Sequence, residues 1–160
     1  MKIIASASIL SPKLGLISFD YERIDYSTMN LSSNGNAITS VNDDIKTIYR
    51  DANNFKLGAE LRLNSLMIRG GAGYYSSPST EPELKDLYST SFSCGLGYRG
   101  PNFYIDFGFM QTRYSDKYLL YNFVERDVPS NNTYEYVYQP QIADLRYKLN
   151  KFMVTVGYHF

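Results

Sequence analysis

Five charged residues of this sequence stand where an alternating pattern would bring them to one surface: Lys56, Glu60, Arg62, Arg69 and Asp106. In residues 54–63 the charged and small side chains alternate with apolar ones, and successive side chains of a β-strand point to opposite faces. The spacing therefore predicts a polar face that collects these charges. Two kinds of chemistry suit such a face. One is contact with an anion, for which Arg62 and Arg69 are the closest pair across a tight turn. The other is a network of paired charges.

Catalytic and metal-binding chemistry has no comparable support. His159 is the one histidine and Cys94 the one cysteine, so the sequence offers no multi-histidine centre, no cysteine-based metal site and no disulfide framework. Neither a nucleophile–base pair nor a glycine–lysine phosphate loop is present. We expect no enzyme activity, no cofactor and no metal. The 16 basic and 16 acidic residues balance, which removes the global electrostatic case for binding nucleic acid.

Seven segments alternate apolar and polar residues with period two, and each predicts a β-strand. No segment predicts a helix, and none approaches the ~18 continuous apolar residues of a membrane helix. The alternation of residues 3–10 favours a strand there over a cleavable signal peptide. The last segment changes phase near Asn150, as an added β-bulge residue would cause. The predicted strands are residues 3–10, 14–27, 54–63, 66–75, 88–99, 102–114 and 142–160.

Short and long connections alternate between these strands. The short ones are residues 11–13, 64–65 and 100–101, and the long polar loops are residues 28–53, 76–87 and 115–141. This pattern predicts an all-β fold, an antiparallel up-and-down meander of about seven strands. Outer-membrane barrels place short turns on the periplasmic side and long loops outside, and all six connections follow that rule.

The two faces indicate which solvent the apolar face meets. The polar face mixes glycine and serine with charges, and tyrosines gather near strand ends, as in the aromatic girdles of membrane barrels. The final strand alternates apolar residues back from a terminal aromatic: Phe152, Val154, Val156, Tyr158 and Phe160. A strand of this kind is the assembly signal of outer-membrane barrels. The sequence thus predicts part of a transmembrane β-barrel, and the alternative is a soluble all-β binding or adhesion domain.

Five stretches, in order, resemble the C-terminal half of FadL/TodX-type outer-membrane transport proteins, in the form often labelled hemin receptors in Bacteroides-like bacteria. They are GLISFDYERIDYS (15–27), FKLGAELRL (55–63), IRGGAGYYSSP (68–78), CGLGYRGPNFYIDFGF (94–109) and FMVTVGYHF (152–160). The resemblance implies a fourteen-stranded barrel in the bacterial outer membrane that passively admits long-chain fatty acids or other hydrophobic small molecules. It also implies contact with membrane lipid and with the barrel assembly machinery.

The family pattern and this sequence differ in extent. We expect residues 1–160 to be a single barrel segment, the C-terminal half, without the plug and the signal peptide, so that the N-terminal half of the barrel is a missing partner. A lone His159 near the mouth of the lumen is a poor haem ligand, which weakens the hemin label for this half. Cys94 falls on the apolar face, where we expect it to be inert.

Overall fold

The computed structural model describes residues 1–33, 36–128 and 133–159, and most of them lie in β-strands. The elements are β1 (Lys2–Ser11), β2 (Gly15–Asp25), a 3-10 helix (Tyr26–Thr28), β3 (Ser32–Ser33), β4 (Asn36–Ala37), α1 (Thr39–Ile48), β5 (Asp51–Leu63), β6 (Leu66–Ser76), β7 (Tyr88–Arg99), β8 (Phe103–Val128) and β9 (Thr133–Tyr158). Seven of the strands form one sheet in the order β1-β2-β5-β6-β7-β8-β9, and β3 pairs with β4 separately.

Every neighbouring pair in the seven-stranded sheet is antiparallel. The predicted all-β, up-and-down meander is therefore confirmed. The sheet is open, because β1 and β9 are its two edges and do not pair with each other in the described part of the chain. Closure into a barrel is thus not observed.

The connections sort to two ends of the sheet. At one end, here called the turn end, β1–β2, β5–β6 and β7–β8 are joined by tight turns. Asn64 takes a positive φ of 53° in one of them, a conformation that asparagine tolerates. Gly15 has a φ of 132°, and a Cβ there would lie 1.8 Å from the carbonyl oxygen of Glu60, so that turn requires glycine. The opposite end, here called the loop end, carries the longer connections.

The register gives the sheet two chemically different faces. The apolar face carries the odd-numbered residues of β1, β2, β5 and of β8 as far as Leu119, and the even-numbered residues of β6, β7 and of β9 from Ile142 onwards. The polar face carries the other residues of these stretches. The apolar face is not packed in a protein core: Leu96 is 58% exposed, Phe107 52% and Val154 63%. Ile45 and Ala52 are the only buried hydrophobic residues among those described.

The predicted long loop 28–53 is partly wrong, because it contains helix α1 and the short β3–β4 pair. Val41, Ile45 and Ile48 have the spacing of one helix face, but Ile38 at the N-cap makes no side-chain cap hydrogen bond, so the usual start signal is missing. A contact distant in sequence replaces it: Asn42 accepts from the Leu31 amide at 2.7 Å and donates to the Leu31 carbonyl at 3.0 Å. Neither helix in the described residues is long and apolar enough to cross a membrane.

The prediction of a long loop at residues 115–141 is also wrong. Strands β8 and β9 continue as a paired hairpin as far as Val128 and Thr133, with irregular register between Leu119 and Phe123. This segment is rich in tyrosine and valine, which favour strands, and a register already set at the turn end lets pairing propagate. The loop at 76–87 holds as predicted, with one isolated bridge from Ser79 to Tyr49.

The predicted β-bulge near Asn150 is absent. Pairing runs without interruption through Gln111↔Asn150 and Met110↔Lys151. The change of phase in the sequence is therefore a true exchange of polarity between the two faces. Over residues 113–118 and 144–148, charged and polar side chains occupy the apolar face of the hairpin, while the rings of Tyr114, Tyr118 and Tyr147 occupy its polar face.

Candidate functional site

Four of the five predicted polar-face residues lie in one chain of ion pairs near the turn end. Glu60 contacts the Nε atoms of Arg62 at 2.6 Å and Arg69 at 2.7 Å. Asp106 contacts Nη1 of Arg69 at 2.8 Å and Nη2 of Arg99 at 2.9 Å. Each carboxylate is thus held between two guanidinium groups, and the chain of contacts crosses β5, β6, β7 and β8.

Lys56, the fifth predicted residue, belongs to a separate cluster closer to the loop end. Its ammonium group lies 3.2 Å from Glu22, whose other oxygen is 2.5 Å from Lys2. The same ammonium lies 5.9 Å from the ring centroid of Tyr75. Asp20 stands opposite Lys56 in the register and makes no ion pair within the residues that the structure describes.

The register explains how long charged side chains fit on this face. Glu60 and Arg69 are direct cross-strand partners, while Gly95 stands opposite Arg69 and Gly97 opposite Asp106. A Cβ on Gly97 would lie 2.4 Å from Oδ1 of Asp106. The glycines on the polar face therefore leave the space that the ion pairs occupy.

Burial differs between the two signs of charge. Glu22, Glu60 and Asp106 have side chains only 10–19% exposed, whereas their cationic partners keep 33–53% of their side-chain surface. Two interpretations of the polar face were possible, contact with an anion or a network of paired charges, and the structure contains the network of paired charges. Anion contact at Arg62 and Arg69 stays a prediction, and it would use guanidinium N–H groups other than the Nε atoms that Glu60 engages.

Three residues of the ion-pair clusters are not among the five predicted ones: Lys2, Glu22 and Arg99. Arg99 shares the parity of Gly95 and Gly97 on β7, so the alternating pattern could have placed it on the polar face. The ion pair between Arg99 and Asp106 could not be predicted in the same way, because it depends on the register between β7 and β8. The guanidinium of Arg99 also stacks 4.7 Å from the ring centroid of Tyr104.

Aromatic rings border the apolar face at both ends. A row of neighbouring rings crosses four strands near the loop end, with centroids 5.3–6.5 Å apart: Tyr21, Phe55, Tyr74 and Tyr88. Near the turn end, Tyr98 and Phe103 are 5.6 Å apart. Leucine, isoleucine, valine and phenylalanine fill the space between these borders.

The height of this apolar band can be judged from β7. Its 12 residues extend about 40 Å at ~3.3 Å per residue. A strand tilt of about 40° would reduce this to about 30 Å, close to the hydrocarbon thickness of a bilayer.

The predicted assembly strand lies at the free edge of the sheet. Phe152 is 80% exposed, and Val154, Val156 and Tyr158 are at least 60% exposed on the apolar face. Phe152 contacts Phe109 of β8, with ring centroids 5.0 Å apart. Phe160, the last residue of the predicted signal, lies outside the described residues.

No protein-family model matches the chain, and the searches of curated proteins and of solved structures return no match either. The resemblance to FadL/TodX-type proteins therefore stays a prediction. What the fold and the site define is a class: an open antiparallel sheet with one exposed apolar face and one face of paired charges.

Proposed function

We propose that this chain is one half of a transmembrane β-barrel of the bacterial outer membrane, through which hydrophobic small molecules such as long-chain fatty acids enter passively. The exposed apolar face carries this proposal. Covering a Phe, Leu or Val side chain contributes about 1.5–3 kcal/mol. About a dozen such residues are still roughly half exposed on this face, so about half of that free energy remains to be gained at each, and the total of about 9–18 kcal/mol is as large as the 5–15 kcal/mol stability of an ordinary domain. Acyl chains are the cover that fits a continuous apolar band.

The distribution of aromatic and charged groups supports a lipid-facing assignment. Aromatic rings stand at the two borders of the band, where rings with one polar end suit the headgroup level. Charges of the same strands turn to the polar face and are paired there, as charges shielded from bulk water must be. A soluble domain would show the reverse arrangement, with the apolar residues enclosed and the charges in bulk water.

Strand direction supports a second half with an odd number of strands. Six antiparallel steps separate β1 from β9, so these two edge strands run in the same direction. Pairing them with each other, or across two copies inserted in the same orientation, would make a parallel joint. Outer-membrane barrels are antiparallel throughout. An N-terminal half of seven further strands would close the sheet with antiparallel joints at both edges.

The proposed substrate class rests on the polar face together with the family resemblance. The buried groups of the ion-pair clusters are carboxylates, and the cations present the larger exposed surface. A lumen lined in this way would favour an amphipathic molecule with a carboxylate over a cation. In the proposed protein the chain performs no chemistry on the molecule, which moves down its own gradient.

The membrane assignment can be tested at two adjacent positions that face opposite ways. Cys94 is exposed on the apolar face, and Ser93 is exposed on the polar face. A fluorophore is attached to Cys94 or, in a matched variant, to the cysteine of Ser93→Cys in a Cys94→Ser background. We expect spin-labelled acyl chains to quench the label at position 94 and aqueous iodide to quench the label at position 93. Equal iodide quenching at both positions, with none from acyl chains, would contradict membrane insertion.

Transport is tested separately in cells that express the protein. Uptake of a fluorescent long-chain fatty acid should rise with expression, while uptake of a hydrophilic sugar of similar mass should not. A protein that admits the sugar and not the fatty acid would be a general aqueous pore, and the proposed substrate class would be wrong.

A further inference from the structure

The aromatic border at the loop end does not continue across the whole apolar face. It crosses β2, β5, β6 and β7 and ends at Tyr88. On the next two strands the corresponding positions are basic. Arg113 stands opposite Thr90 on one side and opposite Lys148 on the other, and Arg146 stands opposite Ser115 one step further along the same face. We call Arg113, Arg146 and Lys148 the basic cluster.

The three residues of the basic cluster make no ion pair in the described part of the chain. Arg113 and Lys148 are direct cross-strand partners, and like charges in that position repel. None of the three makes an ion pair with another described residue; Arg113 donates only to the side-chain oxygen of Gln111, at 2.7 Å. Such a cluster is stable beside an anion that it can share.

Two other basic residues near this border, Arg23 and Lys117, form ion pairs within the chain. Arg23, at the loop end of β2, lies 3.3 Å from Asp51. Lys117, two residues beyond Arg113, lies 2.8 Å from Glu83 and 3.9 Å from Asp144. The basic cluster differs from these two residues in making no ion pair with a described residue.

The basic cluster also lines an open hollow that has both charged and aromatic side chains along its border. The hollow has a volume of about 710 Å³ and is bordered by the three cations and by Tyr88, Phe92 and Asp86, the one carboxylate among its lining residues. Phe92 pairs with Gln111, immediately below Arg113, and the ring pair of Phe109 and Phe152 follows towards the turn end. Positive charge thus sits at the edge of the apolar band, with Phe92 beside it on β7 and the polar Gln111–Asn150 pair between it and the Phe109–Phe152 rings.

We propose that the basic cluster binds the phosphate group of an anionic lipid of the outer leaflet, whose acyl chains lie along Phe92, Phe109 and Phe152. The proposal rests on the proposed membrane insertion, which places the loop end at the outer surface. Basic residues at a membrane surface attract anionic headgroups. A phosphate can accept hydrogen bonds from both arginines at once.

The test measures binding of a fluorescent diphosphorylated acyl glycolipid, diluted in phosphatidylcholine vesicles, by energy transfer to a label on the polar face, at the cysteine of Ser93→Cys in the Cys94→Ser background. The triple variant Arg113→Gln, Arg146→Gln and Lys148→Gln should bind on the order of 100-fold more weakly, since each basic residue contributes about fivefold. Arg23→Gln, which removes a neutralised cation from the same border, should stay within about twofold. Arg113→Lys with Arg146→Lys keeps the charge and should retain most of the affinity.

Two control ligands identify the source of the phosphate. The same glycolipid without its phosphates should bind the wild-type chain as weakly as the triple variant binds the intact lipid. Inorganic phosphate should not displace the lipid at concentrations that leave the vesicles intact. Displacement by inorganic phosphate, or equal affinity of the triple variant for the phosphorylated lipid, would overturn the proposal.

Failure of this inference can be told apart from failure of the proposed function. Quenching of the Cys94 label by spin-labelled acyl chains reports insertion independently of the basic cluster. Quenched Cys94 with unchanged lipid affinity in the triple variant rejects the lipid site alone. Unquenched Cys94 in the wild-type chain rejects both proposals.

Discussion

The two halves of the β8–β9 hairpin have the same backbone pairing and opposite polarity. Towards the turn end, the rings of Phe109 and Phe152 lie together on the apolar face. Towards the loop end, the stacked rings of Tyr114 and Tyr147, with centroids 4.7 Å apart, lie on the polar face, and the basic cluster takes the apolar face. No change of register separates the two halves at this level. At the Gln111–Asn150 pair the polarity of the two faces therefore changes while the backbone pairing continues, which indicates that each face meets a different environment on the two sides of that pair.

The largest expected effect comes from placing a charge on the apolar face within the band. Phe107→Arg should lower the free energy of unfolding in vesicles by about 2–4 kcal/mol, because on the proposed lipid-facing surface a guanidinium would have to enter hydrocarbon. Leu119→Arg is the matched control on the same face and strand beyond the exchange of polarity, and it should change that free energy by less than about 0.5 kcal/mol. Denaturant titration of both variants in the same vesicles measures the difference. Equal costs at the two positions would break the comparison.

A smaller effect is expected from removing a carboxylate of the ion-pair chain. Glu60→Gln leaves Arg62 and Arg69 without their shared partner, and it should cost about 1–2 kcal/mol after allowance for solvent screening. Asp20→Asn is the matched control, since Asp20 faces the same way without an ion pair in the described residues. The same denaturant titration applies. A Glu60 variant as stable as the Asp20 variant would mean that the ion pairs are not needed to cover the polar face.

A double substitution should move the boundary between the apolar band and the charged part of the hairpin by one cross-strand pair towards the loop end. Gln111 and Asn150 are hydrogen-bonded at 2.9 Å at the level where the faces exchange polarity. Changing both to leucine extends the apolar band towards the loop end. We expect the variant to be most stable in bilayers a few ångströms thicker than the optimum for the wild-type chain, with a gain of about 1 kcal/mol there. An unchanged optimum in a series of acyl-chain lengths would place the boundary elsewhere.

The smallest effect is expected from the ion pair between Lys117 and Glu83, in the part of the hairpin nearer the loop end. The hydrogen bond with Glu83, helped by the charge of Asp144, raises the pKa of Lys117 above its ordinary value. A raised pKa means that the contribution of Lys117 to stability is complete at neutral pH and is lost as the pH rises through that pKa. The wild-type chain and Lys117→Gln should therefore differ slightly at neutral pH and converge in strong alkali. The measurement is the denaturant midpoint of both proteins across that pH range. A difference between the two midpoints that persists in strong alkali would contradict the assignment.

Much of the fold could be predicted from the sequence because alternation is a local property. The seven strands, their order and the assignment of Lys56, Glu60 and Asp106 to one face follow from period-two patterns alone. The same local pattern misled the prediction at Asn150, where a bulge was inferred from a change of phase. A single strand cannot show whether its register slips or its surroundings change, and only the paired partner decides between them.

The sequence by itself determined a meander of two-faced strands with short turns at one end, since side-chain direction in a strand depends on position parity and tight turns depend on a few local residues. Tertiary structure alone decided which charges pair, where helix α1 forms, how far β8 and β9 extend, and that Arg113, Arg146 and Lys148 meet. These features depend on contacts between residues far apart in the chain. Their free energy appears only when the strands are in register.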